Sequence, residues 1–164
     1  MKICIDVDYQ VDKAQAACLV FENWEDEKPL KTYTAIIKNI AEYVPGEFYK
    51  REMPCILAVL KLVSEKIDMI IIDGFVWLNG KKGLGGHLYE TLANNIPIIG
   101  VAKSNFKGAD LVTEVFRGES ERPLFVSSVG TDQKIADNIK KMHGNFRIPT
   151  LLKLVDSVCR DWKE

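Results

Sequence analysis

The chain has 164 residues, 47% of them apolar and 27% charged, and a formal net charge of −1. That length suits one ordinary domain, spanning 1–164, with a sizeable core. The composition excludes a disordered chain, and near-neutrality excludes the bulk basic excess of non-specific nucleic-acid binders, so a phosphate-binding surface must be local.

No apolar run reaches the roughly 18 residues that span a bilayer. The chain also enters a strand-like pattern at once, without a signal-peptide profile, so a cytoplasmic protein with no membrane partner is expected. Cys4, Cys18, Cys55 and Cys159 lie in apolar segments without C-x-x-C spacing. They signal neither zinc nor disulfides and are expected in the core. The local basic candidates are Lys50-Arg51, Lys81-Lys82 and Lys103 with Lys107.

From Lys2 to Tyr9 the residues alternate, with Ile3, Ile5 and Val7 on one face and Cys4, Asp6 and Asp8 on the other. Two carboxylates on the inner side of a first strand are costly without a cation. Ala14 to Phe21 and Leu30 to Ile37 follow as strand-like runs across the polar turn Glu22 to Pro29, which predicts an antiparallel meander. Pro45-Gly46 marks a tight turn. Pro54 suits the first position of a helix with Ile56, Leu57, Leu60 and Val63 on its apolar face, leaving Glu52 just outside it.

Asp68 to Gly74 reads as a buried parallel strand ending on Asp73. Ligands in open α/β sheets collect beyond such strand ends, and Gly74 permits a sharp turn there. Lys81 to His87 is glycine-rich and basic and leads into a helix carrying Leu88, Leu92 and Ala93. Glycines at a helix start expose N–H groups that can bind phosphate. Pro97 to Lys103 is another buried strand with a charge at its carboxyl end, so Asp73 and Lys103 are expected side by side. Leu111 to Arg117 and Pro123 to Val129 predict a strand pair, and helices are expected over Thr131 to Met142 and Pro149 to Trp162. This order predicts a ribonuclease-H-like α/β fold: a mixed sheet, antiparallel meander and then parallel strands, flanked by helices.

Three segments, taken together, resemble the endonuclease V family, deoxyinosine 3′ endonucleases with a ribonuclease-H-like fold. They are Ile5-Asp-Val-Asp-Tyr9, Tyr43-Val-Pro-Gly-Glu-Phe-Tyr-Lys-Arg-Glu-Met-Pro54, and Asp73-Gly74 continuing through Gly83-Leu-Gly-Gly-His-Leu88 to Ile96-Pro-Ile-Ile-Gly-Val-Ala-Lys-Ser104. The resemblance implies a metal site of Asp6, Glu52 and Asp73 holding Mg2+, with Mn2+ as the substitute, since both ions take oxygen ligands. Lys103 would complete the catalytic set. The family's strand-separating wedge falls on Tyr43 with Val44-Pro45-Gly46, and Pro45, Gly46, Gly74, Val76, Asn79, His87 and Phe106 are implied on the base-binding side. The implied partner is inosine-containing DNA or RNA, and the implied reaction is hydrolysis of a phosphodiester 3′ to the deaminated purine.

The chain departs from the family's pattern in four places. Asn79 stands where a histidine is expected, and Val76 stands where a pocket glycine is expected, so its isopropyl group is predicted to intrude on the base. Thr131 occupies the place aligned with a late metal-side histidine, and the N-terminal helical extension is missing. Two rival readings follow: a catalytically impaired ribonuclease-H-like module that only binds nucleic acid, and a phosphometabolite enzyme built on the Lys81 to Gly86 loop.

Overall fold

Three antiparallel strands come first in the computed structural model, which describes residues 1–131 and 134–162: β1 (Lys2–Tyr9), β2 (Lys13–Phe21) and β3 (Lys31–Lys38). Helix α1 (Phe48–Leu60) then crosses to β4 (Met69–Asp73), which pairs parallel to β1. A small hairpin, β5 (Trp77–Leu78) and β6 (Lys81–Lys82), precedes α2 (Leu84–Thr91) and β7 (Ile98–Ala102), the latter parallel to β4. The chain finishes with β8 (Thr113–Val115), β9 (Leu124–Val129), α3 (Ile135–Lys141) and α4 (Thr150–Arg160). The large sheet has the order β3-β2-β1-β4-β7-β9-β8, with β9 antiparallel to both β7 and β8.

Period-two alternation divides the core. Ile3, Ile5, Ile70, Ile72 and Ile98 pack with Cys55, Ile56 and Leu88 under α1 and α2. Cys4, Ile71, Ile99 and Val101 pack with Ile139, Leu151, Val155 and Cys159 under α3 and α4. All four cysteines are buried and free, as their apolar settings predict. Among the described residues no helix is long and apolar enough to cross a membrane.

Several helix boundaries differ from expectation. Pro54 lies inside α1 rather than at its start, which makes Glu52 a helical residue, only 7% exposed. Proline in a helix interior costs about 3 kcal/mol. The preceding turns are anchored by contacts the sequence does not display: Tyr49 stacks on His87 with ring centroids 3.6 Å apart, and the Arg51 guanidinium lies 4.1 Å from the Tyr9 ring centroid. Val63 falls beyond the end of α1, and Ala93 beyond α2. The predicted Thr131 to Met142 helix shortens to α3, and its residues 132–133 lie outside those described.

Helix α4 is fastened at its carboxyl end, where carbonyls lack partners within the helix. Gln15 Nε2 donates to the carbonyls of Val158 (3.2 Å), Cys159 (3.1 Å) and Asp161 (3.1 Å). Trp162 Nε1 donates to Asp8 Oδ2 at 2.8 Å. Of the two carboxylates on one face of β1, Asp8 is therefore taken up by the fold and Asp6 is left for other work.

The turn after β4 sits directly on β7. A Cβ added to Gly100 would lie 2.4 Å from the Gly74 carbonyl oxygen and 2.9 Å from Ser127 Oγ, the atom that accepts the Val76 N–H at 3.1 Å. Gly100→Ala is expected to lift this turn and lower stability by about 1–3 kcal/mol, the usual range for overpacking. Chemical denaturation measures it, and an unchanged unfolding midpoint would show that the turn is not seated on β7.

Candidate metal centre and nucleic-acid cleft

Parallel pairing brings the acids together. Ile5 is in register with Ile72, and Asp73 with Val101. Asp6, within β1 and one residue past its last pair with β4, and Asp73, the last residue of β4, thus stand side by side, both on the α4 face by parity with Cys4 and Ile71. Lys103, two residues beyond Val101, reaches the same place and puts Nζ 3.5 Å from Asp73 Oδ2. The side-by-side arrangement expected of Asp73 and Lys103 is present.

Glu52 arrives from the opposite face. The Tyr9 hydroxyl, on the α1 side of β1, donates a short hydrogen bond to Glu52 Oε2. Burial is the chief force pushing the Glu52 carboxyl up to about 7; the Tyr9 bond opposes it, while the charges of Asp6 and Asp73 add to it. Asp6 is likewise raised to about 7, first by burial and then by Asp73, although it accepts the Val7 N–H at 2.9 Å. Asp73 is raised too, by loss of solvent, with Lys103 working against the shift.

Sequence reasoning missed a fourth acid, Asp156 of α4. Single oxygens of Asp6 and Asp156 and the Cys159 sulfur all lie within 4.8 Å of one another. The signal was there: Asp156 stands four residues after Leu152 and three before Cys159, on the helix's apolar stripe, where a carboxylate is out of place. Cys159 is no ligand candidate for a hard cation. Burial, with the acids beside it, pushes its thiol up to about 12, and its sulfur bonds the Asp156 carbonyl at 3.1 Å. Thr131 does not take the part aligned to it. Val129 pairs with Ile98, so the chain leaves β9 at the amino end of β7, across the sheet from the acids.

Asp156 is paired with Arg160 Nε at 3.0 Å and Asp73 has Lys103 beside it, yet neighbouring acids still raise Asp6 and Glu52, as carboxylates short of positive charge do. The oxygen donors of Asp6, Glu52, Asp73 and Asp156, without a histidine or an ionised thiol among them, fit Mg2+ or Mn2+ better than zinc. The residues present therefore suit the metal that the resemblance implies.

Beside Asp73, on the α1 and α2 face, opens a pocket of about 330 Å³. Tyr43, Gly46, Gly74 and Phe106 line it as expected of base-side residues, and Tyr49 and Phe75, which sequence reasoning missed, line it too. Pro45 stands next to Gly46 in an exposed turn closed by Glu47 N–H to the Val44 carbonyl at 3.0 Å. Asn79 and His87 line an adjoining pocket instead, with Tyr49, Gly46 and Phe106 shared between the two. Asn79 donates its N–H to the Gly108 carbonyl at 2.6 Å, and His87 is covered by the Tyr49 ring.

Two expectations fail here. Val76 is wholly buried, and its Cγ2 would sit 2.8 Å from a Cβ at Gly85, so its isopropyl group points under α2 and does not intrude on the Asp73 pocket. The Lys81 to Gly86 segment is no phosphate cradle. The N–H groups of Gly83, Gly85 and Gly86 already donate to the carbonyls of Val76 (2.8 Å), Phe75 (3.1 Å) and Val76 (3.2 Å).

The raised carboxyls set a pH dependence. Asp6 and Glu52 hold protons up to about pH 7 in the folded, metal-free chain, against about 4 when unfolded. Between those values the folded state binds more protons, so this contribution to stability is present at low pH and lost as pH rises to about 7. In chelator, Asp6→Asn should gain melting temperature over the wild type progressively from pH 5 to pH 7. A difference that does not vary with pH would contradict the proton accounting.

Comparison with known proteins places this geometry. The sequence model of the endonuclease V family matches residues 2–156. The chain is 36% identical over 158 residues to endonuclease V of Pyrococcus abyssi, covering 95% of this chain and 77% of that protein. It is 31% identical over 150 residues to endonuclease V of Streptomyces avermitilis, covering 77% of this chain and 64% of that one, and it spans 44% of the Xanthomonas axonopodis relative's length. Among solved structures, Ciona intestinalis endonuclease V in complex with a 24mer DNA containing an inosine followed by a ribo-adenosine superposes with a TM-score of 0.82 at 21% identity, over 97% of this chain and 83% of that one. The Streptomyces avermitilis crystal structure gives a TM-score of 0.73 at 26% identity, over 96% and 78%. With a family match over nearly the whole length and a relative 36% identical over most of both chains, the chain belongs to the endonuclease V family.

Proposed function

We propose that this chain is a divalent-metal-dependent endonuclease that hydrolyses a phosphodiester on the 3′ side of a deaminated purine, inosine, in a nucleic-acid strand. The observation that carries this reading is the position of Asp73, which belongs at once to the acid cluster and to the wall of an aromatic-lined pocket. A base held in the pocket leaves its strand running across the acids. The family relationship and the inosine-containing DNA bound by the Ciona relative support the choice of substrate.

Asp6, Glu52, Asp73 and Asp156 would hold the cation, which supplies positive charge to the scissile phosphate and acidifies a water for attack. Tyr9 fixes the Glu52 carboxylate through its hydroxyl. Lys103 places its ammonium beside Asp73, where negative charge develops during phosphoryl transfer. Phe75 and Phe106, with ring centroids 6.3 Å apart, supply flat apolar walls for an extruded base. Gly74, at φ 130°, turns the backbone away from Asp73 in a conformation side chains rarely adopt, which keeps the pocket floor open.

Incubation with Mg2+ and with Mn2+ should nick inosine-containing strands and spare matched adenosine strands. Asp6→Asn, Asp73→Asn and Asp156→Asn should each slow nicking by at least about 100-fold, the upper end of what losing an outer-sphere partner costs. Nicking at the wild-type rate by any one of them would remove that acid from the site.

Tyr43, 57% exposed at the pocket rim, is placed to fill the gap left by an extruded base and offset an unstacking cost of a few kcal/mol. Tyr43→Ala should weaken binding to an inosine-containing duplex several-fold more than to the single strand. Equal losses on both, measured by fluorescence anisotropy, would argue that it does not separate strands.

A further inference from the structure

On the α4 face, across the acids from the base pocket, lies a groove of about 950 Å³ between the β8–β9 loop and the loop joining α3 to α4. It begins at Lys103 and Asp156. Asp73 borders the base pocket, and Lys103, 3.5 Å from it, borders the groove. One path therefore runs from pocket to acids to groove over the carboxyl ends of β1, β4 and β7.

The groove concentrates positive charge in a chain whose net charge is −1. Lys103, Arg122, Arg147 and Lys153 line it against Glu119 and Asp156, and Asp156 belongs to the acid cluster. Phe146, 76% exposed, projects into it from a fixed wall. That wall is held from behind by Arg117, whose buried guanidinium donates to the carbonyls of Phe146 (2.6 Å), Gly144 (3.1 Å), Met142, Arg147 (3.3 Å) and Lys140 (3.4 Å). Arg147 ties the same wall to the Lys103 and Pro123 carbonyls. An exposed aromatic on a rigid wall, flanked by cations that can reach phosphates, is the combination that binds single strands: rings stack on bases and basic groups follow the backbone.

We propose that this groove is a single-strand subsite that holds the nucleotides beyond the scissile phosphate, with Phe146 stacking a base and Arg122 and Lys153 contacting phosphates. The direction rests on the function proposed above: with the inosine in the Asp73 pocket and cleavage on its 3′ side, the groove takes the 3′ segment.

The test uses the full chain and 5′-labelled single strands that carry one inosine and end either two or eight nucleotides 3′ to it. Binding is measured by anisotropy without divalent metal. The wild type should bind the longer strand about tenfold more tightly, as expected for one stacked base with added phosphate contacts. Arg122→Ala/Phe146→Ala/Lys153→Ala should lose that advantage while binding the shorter strand as the wild type does, with an unchanged melting temperature. Phe146→Trp alone should keep it. Equal losses on both lengths or no length effect in the wild type would overturn the subsite. Absence of inosine-directed nicking by the wild type in Mg2+ would instead sink the proposed function, and the binding comparison would still decide the groove.

Discussion

The site depends on the register of β1 against β4. Ile5 opposite Ile72 is the alignment that puts Ile3, Ile5, Ile70 and Ile72 into one core, and a slip of one residue would turn all of them to the other face. Hydrophobic pairing thus settles where two carboxylates stand that would otherwise repel. Asp6 and Asp73 are held together by what lies beneath them in their strands, where burial raises both, the Asp73 charge adds to the rise of Asp6, and Lys103 works against that of Asp73.

The remaining parts of the site come from both faces of the sheet, and each has its own support. Asp156 is presented by α4, whose carboxyl end is bound to β2 through Gln15. Glu52 is presented by α1 and steadied by Tyr9, with the neighbouring Arg51 stacked on the same ring. This double delivery explains why an in-helix proline is tolerated at position 54. The turns before it are fixed by tertiary contacts that also serve the site. The two faces then offer different surfaces beside the acids, an aromatic pocket on the α1 and α2 side and a basic groove on the α4 side.

The glycines of the segment 83–86 do different work from the one their composition suggests. They let α2 sit down on the Phe75 and Val76 carbonyls, spending the N–H groups that a phosphate would need. The same contact draws Val76 into the core and leaves Phe75, its neighbour, to face the pocket. Close packing of helix on turn decides which side chain of two adjacent residues meets a ligand.

The sequence by itself determined the strand meander, the buried parallel strands, the core cysteines and the pairing of Asp73 with Lys103, because period-two alternation and strand-end charges are local patterns written in consecutive residues. It also pointed, through three motifs, to the family and to Asp6, Glu52 and Asp73 as the candidate acids. Only the tertiary structure decided that Asp8 is taken by Trp162, that Val76 faces inward, that Asn79 and His87 belong to a neighbouring pocket, and that Asp156 joins the acids in place of any role for Thr131. Each of these depends on which of two faces a residue meets after the chain has crossed the sheet, and on the antiparallel return of β9. Asp6 and Asp156, 150 residues apart, and Asp8 and Trp162, 154 residues apart, leave no periodic trace in the sequence between them.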